Sequence, residues 1–196
     1  LLDSTTNPPT ETDTDNDAAH THSNLDLDKI LQQTDDTLEL SHLSARQARP
    51  VAKAVAANPN LKTVVLDGRA IPVSELRDND ELEWDSEEYG DAEAVIIAEY
   101  LRGNTKLKRL DLARNQIADG GALALALALG DNDCLEYLNL ESNLVAARGG
   151  EGFARALQSN STLQYLNLSY NALPSTQHQS LREAWCEVRQ GIGLHL

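Results

Sequence analysis

Apolar residues recur along this chain in two alternating periods, and the alternation predicts a short strand followed by a helix, several times over. Leu107, Leu110 and Leu112 are followed by Asn115, Leu135, Leu138 and Leu140 by Asn143, and Leu163, Leu166 and Leu168 by Asn171, each set beginning 28 residues after the one before. A degenerate copy begins at Leu61, with Val64 and Leu66 in the apolar positions and Arg69 where asparagine is expected. A fifth is read around Leu38, Leu40 and Leu43. Apolar residues two apart in a strand share one side of the backbone, so these leucines enter a core while the residues between them face solvent.

The intervening segments repeat as well. Val51, Ile97, Leu125 and Phe153 lie ten residues before the next strand-opening leucine, Ala52, Ala98, Ala126 and Ala154 nine before it, and Val55, Leu101, Leu129 and Leu157 six before it. With the small residues Ala48, Ala94, Ala122 and Gly150 this makes the stripe of an α-helix, trimmed where helix and strand pack closely. Asn58, Asn104, Asn132 and Asn160 recur three residues before each strand and are expected to end the helices in a left-handed conformation. The asparagine that closes each strand is expected to bond backbone groups of neighbouring coils. Arg69 cannot accept such bonds, so an irregular turn is expected there.

The strand motif L-x-x-L-x-L-x-x-N and the helical run from Asn115 through Gly120, Gly121 and Leu129 to Asn132 resemble leucine-rich repeats of the ribonuclease-inhibitor-like subtype over residues 35 to 190. That resemblance implies an α/β solenoid, with a curved parallel sheet on the concave side and helices on the convex side. Similar repeats occur in the ribonuclease inhibitor, Ran GTPase-activating proteins, tropomodulins and innate-immune receptors. The two cysteines and about five repeats depart from the longer, Cys-rich ribonuclease inhibitor. No catalytic arginine of a GTPase activator maps onto the chain, and no actin-binding helix like that of tropomodulins stands upstream.

Residues 1–24 read as a disordered polar and acidic tail, and 25–196 as the repeat domain. Asp13, Asp15 and Asp17 open like an EF-hand loop, but Ala18 and Asn24 stand where glycine and glutamate are required. Leu25, Leu27, Ile30 and Leu31 predict a short helix closing the first coil. A helix at 175–189, with Leu181, Trp185 and Val188 on one face, caps the last. Leu61 to Leu107 spans 46 residues, 18 more than the period. The excess predicts an acidic loop at 73–90, whose Trp84 and Tyr89 are candidate anchors for a partner unless they fold back on the solenoid.

The concave face is read in rows: Thr37, Thr63, Arg109, Tyr137 and Tyr165, then Glu39, Val65, Asp111, Asn139 and Asn167, then Ser41, Asp67, Ala113, Glu141 and Ser169, with Arg114 and Tyr170 just beyond. Tyrosine and arginine are the residues most enriched in binding hot spots. Tyr137, Tyr165, Tyr170, Arg109 and Arg114, bordered by Asp111, Asn139, Glu141 and Asn167, are therefore the candidate protein-binding site. The alternative is a tyrosine ladder that merely stabilises the sheet.

Charge then narrows the partner. A net charge of −15 opposes nucleic-acid and anionic-membrane binding and favours a basic protein partner. Two cysteines fit a reducing, cytoplasmic setting. The absence of methionine predicts a fragment or processed form. There is no phosphate-binding loop, no nucleophile elbow and no metal-ligand spacing. Gly120, Gly121, Gly149 and Gly150 at helix starts recur with the repeat and read as close packing, and His42 beside Glu39 and Ser41 is a poor general base. The reading is a monomeric, cofactor-free, non-enzymatic scaffold. A regulator of a small GTPase, acting through an exposed arginine such as Arg114, and a structural module of a longer chain are the alternatives.

Overall fold

The structure is a computed structural model that describes residues 26–189 and 193–196; the tail readings at 1–24, and Leu25, fall outside the described residues, as does the side chain of Val188. Helices α1 (Leu27–Gln32), α2 (Ala45–Ala57), α3 (Val73–Asp78), α4 (Asp91–Arg102), α5 (Asp119–Gly130), α6 (Ala147–Ser159) and α7 (Ser175–Arg189) alternate with short strands. The strands are β1 (Thr37–Leu40), β2 (Thr63–Leu66), β3 (Arg69–Ile71), β4 (Glu81–Glu83), β5 (Arg109–Asp111), β6 (Tyr137–Asn139), β7 (Tyr165–Asn167) and β8 (Leu194–His195). Parallel pairing joins β4 through β8 in register, Arg109 opposite Tyr137 and Tyr137 opposite Tyr165, so residues 28 apart in sequence lie side by side. The core is the layer between strands and helices. It holds the strand residues Leu110, Leu112, Leu138, Leu140, Leu166 and Leu168 and the helix residues Ile97, Leu125, Phe153 and Leu157.

Three side-chain ladders fasten one coil to the next. At the strand ends, Asn143 donates through Nδ2 to the Leu112 carbonyl at 2.9 Å and accepts at Oδ1 from the Ile117 amide at 3.0 Å; Asn115 and Asn171 repeat the pattern. These asparagines satisfy backbone groups that a tight turn would bury unpaired. Asn132, before its strand, donates to the carbonyls of Leu101 and Asn104 and accepts from the Cys134 and Leu135 amides. Neither it nor its equivalents takes the expected left-handed conformation: Asn58 and Asn160 sit at φ −92° and −75°. The asparagine recurs for its side chain, which bridges coils, and not for its backbone.

The third ladder caps helices across coils. Asp91 at the start of α4 accepts from the Ala118 and Gly121 amides of the following coil, both at 2.8 Å. Asp119 does the same for Ala146 and Gly149 at 2.9 and 2.8 Å. Carboxylates so placed satisfy orphan helix amides and favour the positive end of the helix dipole. They also explain the glycines: a Cβ on Gly121 would stand 2.9 Å from Asp91 Oδ1 and 2.7 Å from the Ala94 Cβ. Asp119→Ala should therefore lower stability by about 1 kcal/mol, read by urea unfolding. No loss would mean that solvent caps α6 equally well.

The region from Leu61 to Leu107 corrects the expectation of an extruded loop. Asp67 (φ 48°) and Gly68 (φ 84°) turn the chain back, and β3 pairs antiparallel with β2. The short α3 follows. Then β4 aligns parallel with β5, Leu82 opposite Leu110, so residues 79–87 are a degenerate repeat strand in the regular register. Trp84 occupies the position of Leu112, and Tyr89 that of Ile117; they are 6% and 1% exposed. Both therefore lie in the core, packed edge to face at 6.0 Å, and are not loop anchors.

Pairing consequently stops once. The sheets are β1-β2-β3 and β4-β5-β6-β7-β8, and among the described residues no strand pairing joins them. Side chains span the seam instead. Tyr89 donates its hydroxyl to the Ala70 carbonyl of β3 at 2.6 Å, and Arg69 grips the 1% exposed Glu93 of α4 through Nε and Nη2, each 2.8 Å from Oε1. The Tyr100 hydroxyl reaches the Val55 carbonyl at 3.1 Å, and burial pushes its ionisation up to about 12. At the ends, α1 buries Ile30 while Leu31 stays exposed, and α7 buries Leu181 and Trp185. The strand β8 was not expected; the Leu194–Leu196 alternation continues the row begun by Leu166 and Leu168.

Candidate functional site

Strand alternation decides what the open face of the larger sheet displays. With Leu110, Leu138 and Leu166 turned into the core, Arg109, Tyr137 and Tyr165 project from the opposite side. They form one stack. The Arg109 guanidinium lies 3.6 Å from the Tyr137 ring centre, and Tyr137 and Tyr165 are 4.2 Å apart and nearly parallel at 3°. His195 of β8 extends the row, 5.0 Å from Tyr165 and tilted by 40°. Both faces of each tyrosine are thereby occupied. What remains for solvent is the edge of the stack and its hydroxyls. Burial, and then the neighbouring Tyr137, raise the ionisation of the Tyr165 phenol.

Carboxylates border the stack. Arg109 is flanked by Glu83 at 3.9 Å and Asp111 at 3.7 Å, with Glu81 exposed one strand away. The acidic candidate Glu141 accepts from Asn167 Nδ2 at 2.9 Å, and Asp111 accepts from Asn139 Nδ2 at 3.0 Å. Asn139 and Asn167 are 8% and 6% exposed and spend their Oδ1 atoms on the Glu141 and Ser169 amides. As a partner-binding pair they are corrected: their polar groups are satisfied internally, and they hold the acidic side chains in position.

The turns after the strands form a second row. Ser86, Arg114, Ser142 and Tyr170 recur every 28 residues with φ between 54° and 63°, the left-handed turn that precedes Glu87 in the first case and the strand-end asparagines Asn115, Asn143 and Asn171 in the others. Arg114 is tied to the Asp85 carboxylate and donates to Ser86 Oγ at 3.0 Å. The hydrogen bond between Arg114 and Asp85 holds the Asp85 carboxyl below its ordinary range and the Arg114 guanidinium above its own. Tyr170 differs from its row. It is 81% exposed, and its ring makes no aromatic, cation–π or hydrogen-bond contact among the described residues. A bulky residue at positive φ with its ring in water stabilises nothing visible in the fold.

Among the described residues no three His, Cys, Asp or Glu side chains converge as metal ligands. His42 is an exposed residue whose amide donates to Asp67. No helix of the described residues is long and apolar enough to cross a membrane. Sequence reading missed His195, Glu81 and Glu83. The last two were hidden because Asn79 replaces the strand-opening leucine, although Leu82 and Trp84 stand 28 residues before Leu110 and Leu112.

A family model and one solved structure agree with the architecture. A family model described as leucine-rich repeat matches residues 103–126 and 159–173. Among solved structures, one of leiomodin-1 actin-binding site 2 is similar over 64% of this chain and 78% of its own, with 24% identity and a TM-score of 0.56. A tropomodulin C-terminal domain from Caenorhabditis elegans is 11% identical over 81% of this chain and 88% of its own, with a TM-score of 0.43. Comparison with curated proteins gives no match.

Proposed function

We propose that this chain, whose fold is that of a leucine-rich-repeat solenoid, is a protein-binding module that receives its partner on the open, concave face of its C-terminal repeats. The ribonuclease-inhibitor-like subtype, suggested by the helix in each coil, belongs to the same proposal. The carrying observation is Tyr170, an aromatic ring 81% exposed at the turn that ends β7, beside the half-buried stack of Arg109, Tyr137 and Tyr165. The stacked rings of Tyr137 and Tyr165 are held in advance and lose little entropy on association, while Tyr170 offers a large, unburied aromatic surface to be covered, and such groups dominate interface energies. The stack supplies hydroxyl edges, and Glu83, Asp111 and Glu141 supply negative charge. A basic protein surface complements both.

The chain carrying Tyr137→Ala and Tyr165→Ala should lose capture of the partner from extract while giving up about 2–3 kcal/mol of stability, the worth of the stacked pair together with its Arg109 and His195 contacts. Tyr137→Phe with Tyr165→Phe keeps the stack and separates hydroxyl recognition from sheet stability. Retention of the partner by the alanine pair would refute the concave site. The leiomodin neighbour is described by an actin-binding site, so actin is the first purified partner to assay.

A further inference from the structure

The irregular repeat that splits the sheet also shapes the opposite, helical side. Because residues between β2 and β4 contribute only the short α3, α2 packs directly against α4, and its N-terminal end reaches α5: a Cβ on Gly120 would stand 3.2 Å from that of Ala45. The three helices leave a groove of about 180 Å³, with Val95 and Ala98 of α4 in its floor, Leu127 of α5 on one wall, Arg49 and Lys53 of α2 on the other, and Arg102 at its rim.

Two features of this groove are out of keeping with the chain around it. Leu127 is 49% exposed, whereas the residues in its register one repeat earlier and one later are Glu99 and Arg155. A leucine stands where the repeat otherwise places a charge. The second is the sign of the charge. The chain carries 31 acidic and 16 basic residues, yet here three cations face one acid, Glu99, which sits 3.9 Å from Arg102. Arg49 and Lys53 are exposed and, among the described residues, make no ion pair or side-chain hydrogen bond. At a net charge of −15, solubility does not call for them.

We propose that this groove is a second docking site, independent of the concave face, and that it takes an acidic segment of a protein partner. The segment sinks one bulky apolar side chain between Val95, Ala98 and Leu127 and lays carboxylates against Arg49, Lys53 and Arg102. The volume suits one side chain and is too small for a whole helix, which makes an apolar anchor flanked by acids the matching chemistry. Desolvation of the anchor supplies affinity, and the cations supply orientation and on-rate.

A random peptide library displayed on phage, selected against the full chain, tests the site. The recovered peptides should be net negative, with a bulky apolar residue among the acids. Synthetic copies should bind Arg49→Glu/Lys53→Glu at least about tenfold more weakly, a loss of 1.4 kcal/mol or more, and Leu127→Glu likewise. All three positions are exposed, so these variants should keep the unaltered urea midpoint. The same peptides should bind Tyr137→Ala/Tyr165→Ala unchanged, which separates this groove from the concave site. Three outcomes would overturn the proposal: recovery of no acidic peptides, acidic peptides indifferent to the charge reversal, or phosphatidylserine vesicles as the only ligand that the reversal releases. The last would assign the groove to a lipid surface.

Discussion

Asn143→Ala unfolds at a markedly lower urea concentration than the unaltered chain, with a loss of about 3 kcal/mol. The asparagine is 6% exposed and works in both directions. Its Nδ2 donates to the carbonyls of Leu112 and Leu140 at 2.9 and 3.1 Å, and its Oδ1 accepts from the Ile117 amide at 3.0 Å. Alanine leaves that amide and the Leu112 carbonyl buried without their side-chain partner, and each unmade buried bond costs about 1–3 kcal/mol. Asn171, in the same ladder but partly exposed, should lose less, because water can replace its bonds. Equilibrium urea curves followed by circular dichroism measure both. Equal losses would mean that burial is not what makes the ladder stabilising.

Arg69→Met is the second large effect. It leaves the Glu93 carboxylate, 1% exposed, with the Gly90 amide at 2.9 Å but without its countercharge. Breaking a buried pair from one side costs about 3–5 kcal/mol, and the lower end applies here because the Arg69 side chain is 32% exposed. The double variant Arg69→Met/Glu93→Met removes the stranded charge and should recover most of the loss. A double-mutant cycle of urea midpoints reads the coupling directly. Additive losses would show that the pair contributes nothing beyond its separate contacts.

These residues also mark how far the sequence could be read. The L-x-x-L-x-L-x-x-N register located β5, β6 and β7, because each strand buries the same side of the same short motif. The asparagines before the strands were visible as a period but misread as backbone features, since recurrence alone does not say whether a residue is kept for its φ or its side chain. The span 73–90 was harder. Its strand retains only Leu82 and Trp84 of the motif, and a tryptophan among glutamates resembles an exposed anchor until its neighbours are placed. The stack of Arg109, Tyr137 and Tyr165 was legible as a row, whereas its extension to His195 required a strand of two residues. The groove at Leu127 depends on how three helices approach one another, which no local pattern encodes.

The seam at β3 and β4 bears on cooperativity. In a stack of like units, each coil is stabilised mainly through its two interfaces, so the weakest interface sets where the stack divides. Elsewhere in this chain an interface combines backbone pairing, asparagine and aspartate bridges and helix packing. At the seam the backbone pairing is missing, and helix packing, the Tyr89 and Tyr100 hydroxyls, the Arg69–Glu93 ion pair and the Arg77 guanidinium over the Tyr100 ring carry the coupling. The coils on either side can therefore open as separate blocks. The Tyr137 platform and the Leu127 wall lie in the C-terminal block, which keeps them ordered when the N-terminal coils loosen. Arg49 and Lys53 lie in the N-terminal one, so the convex groove exists only while the two blocks are closed on each other.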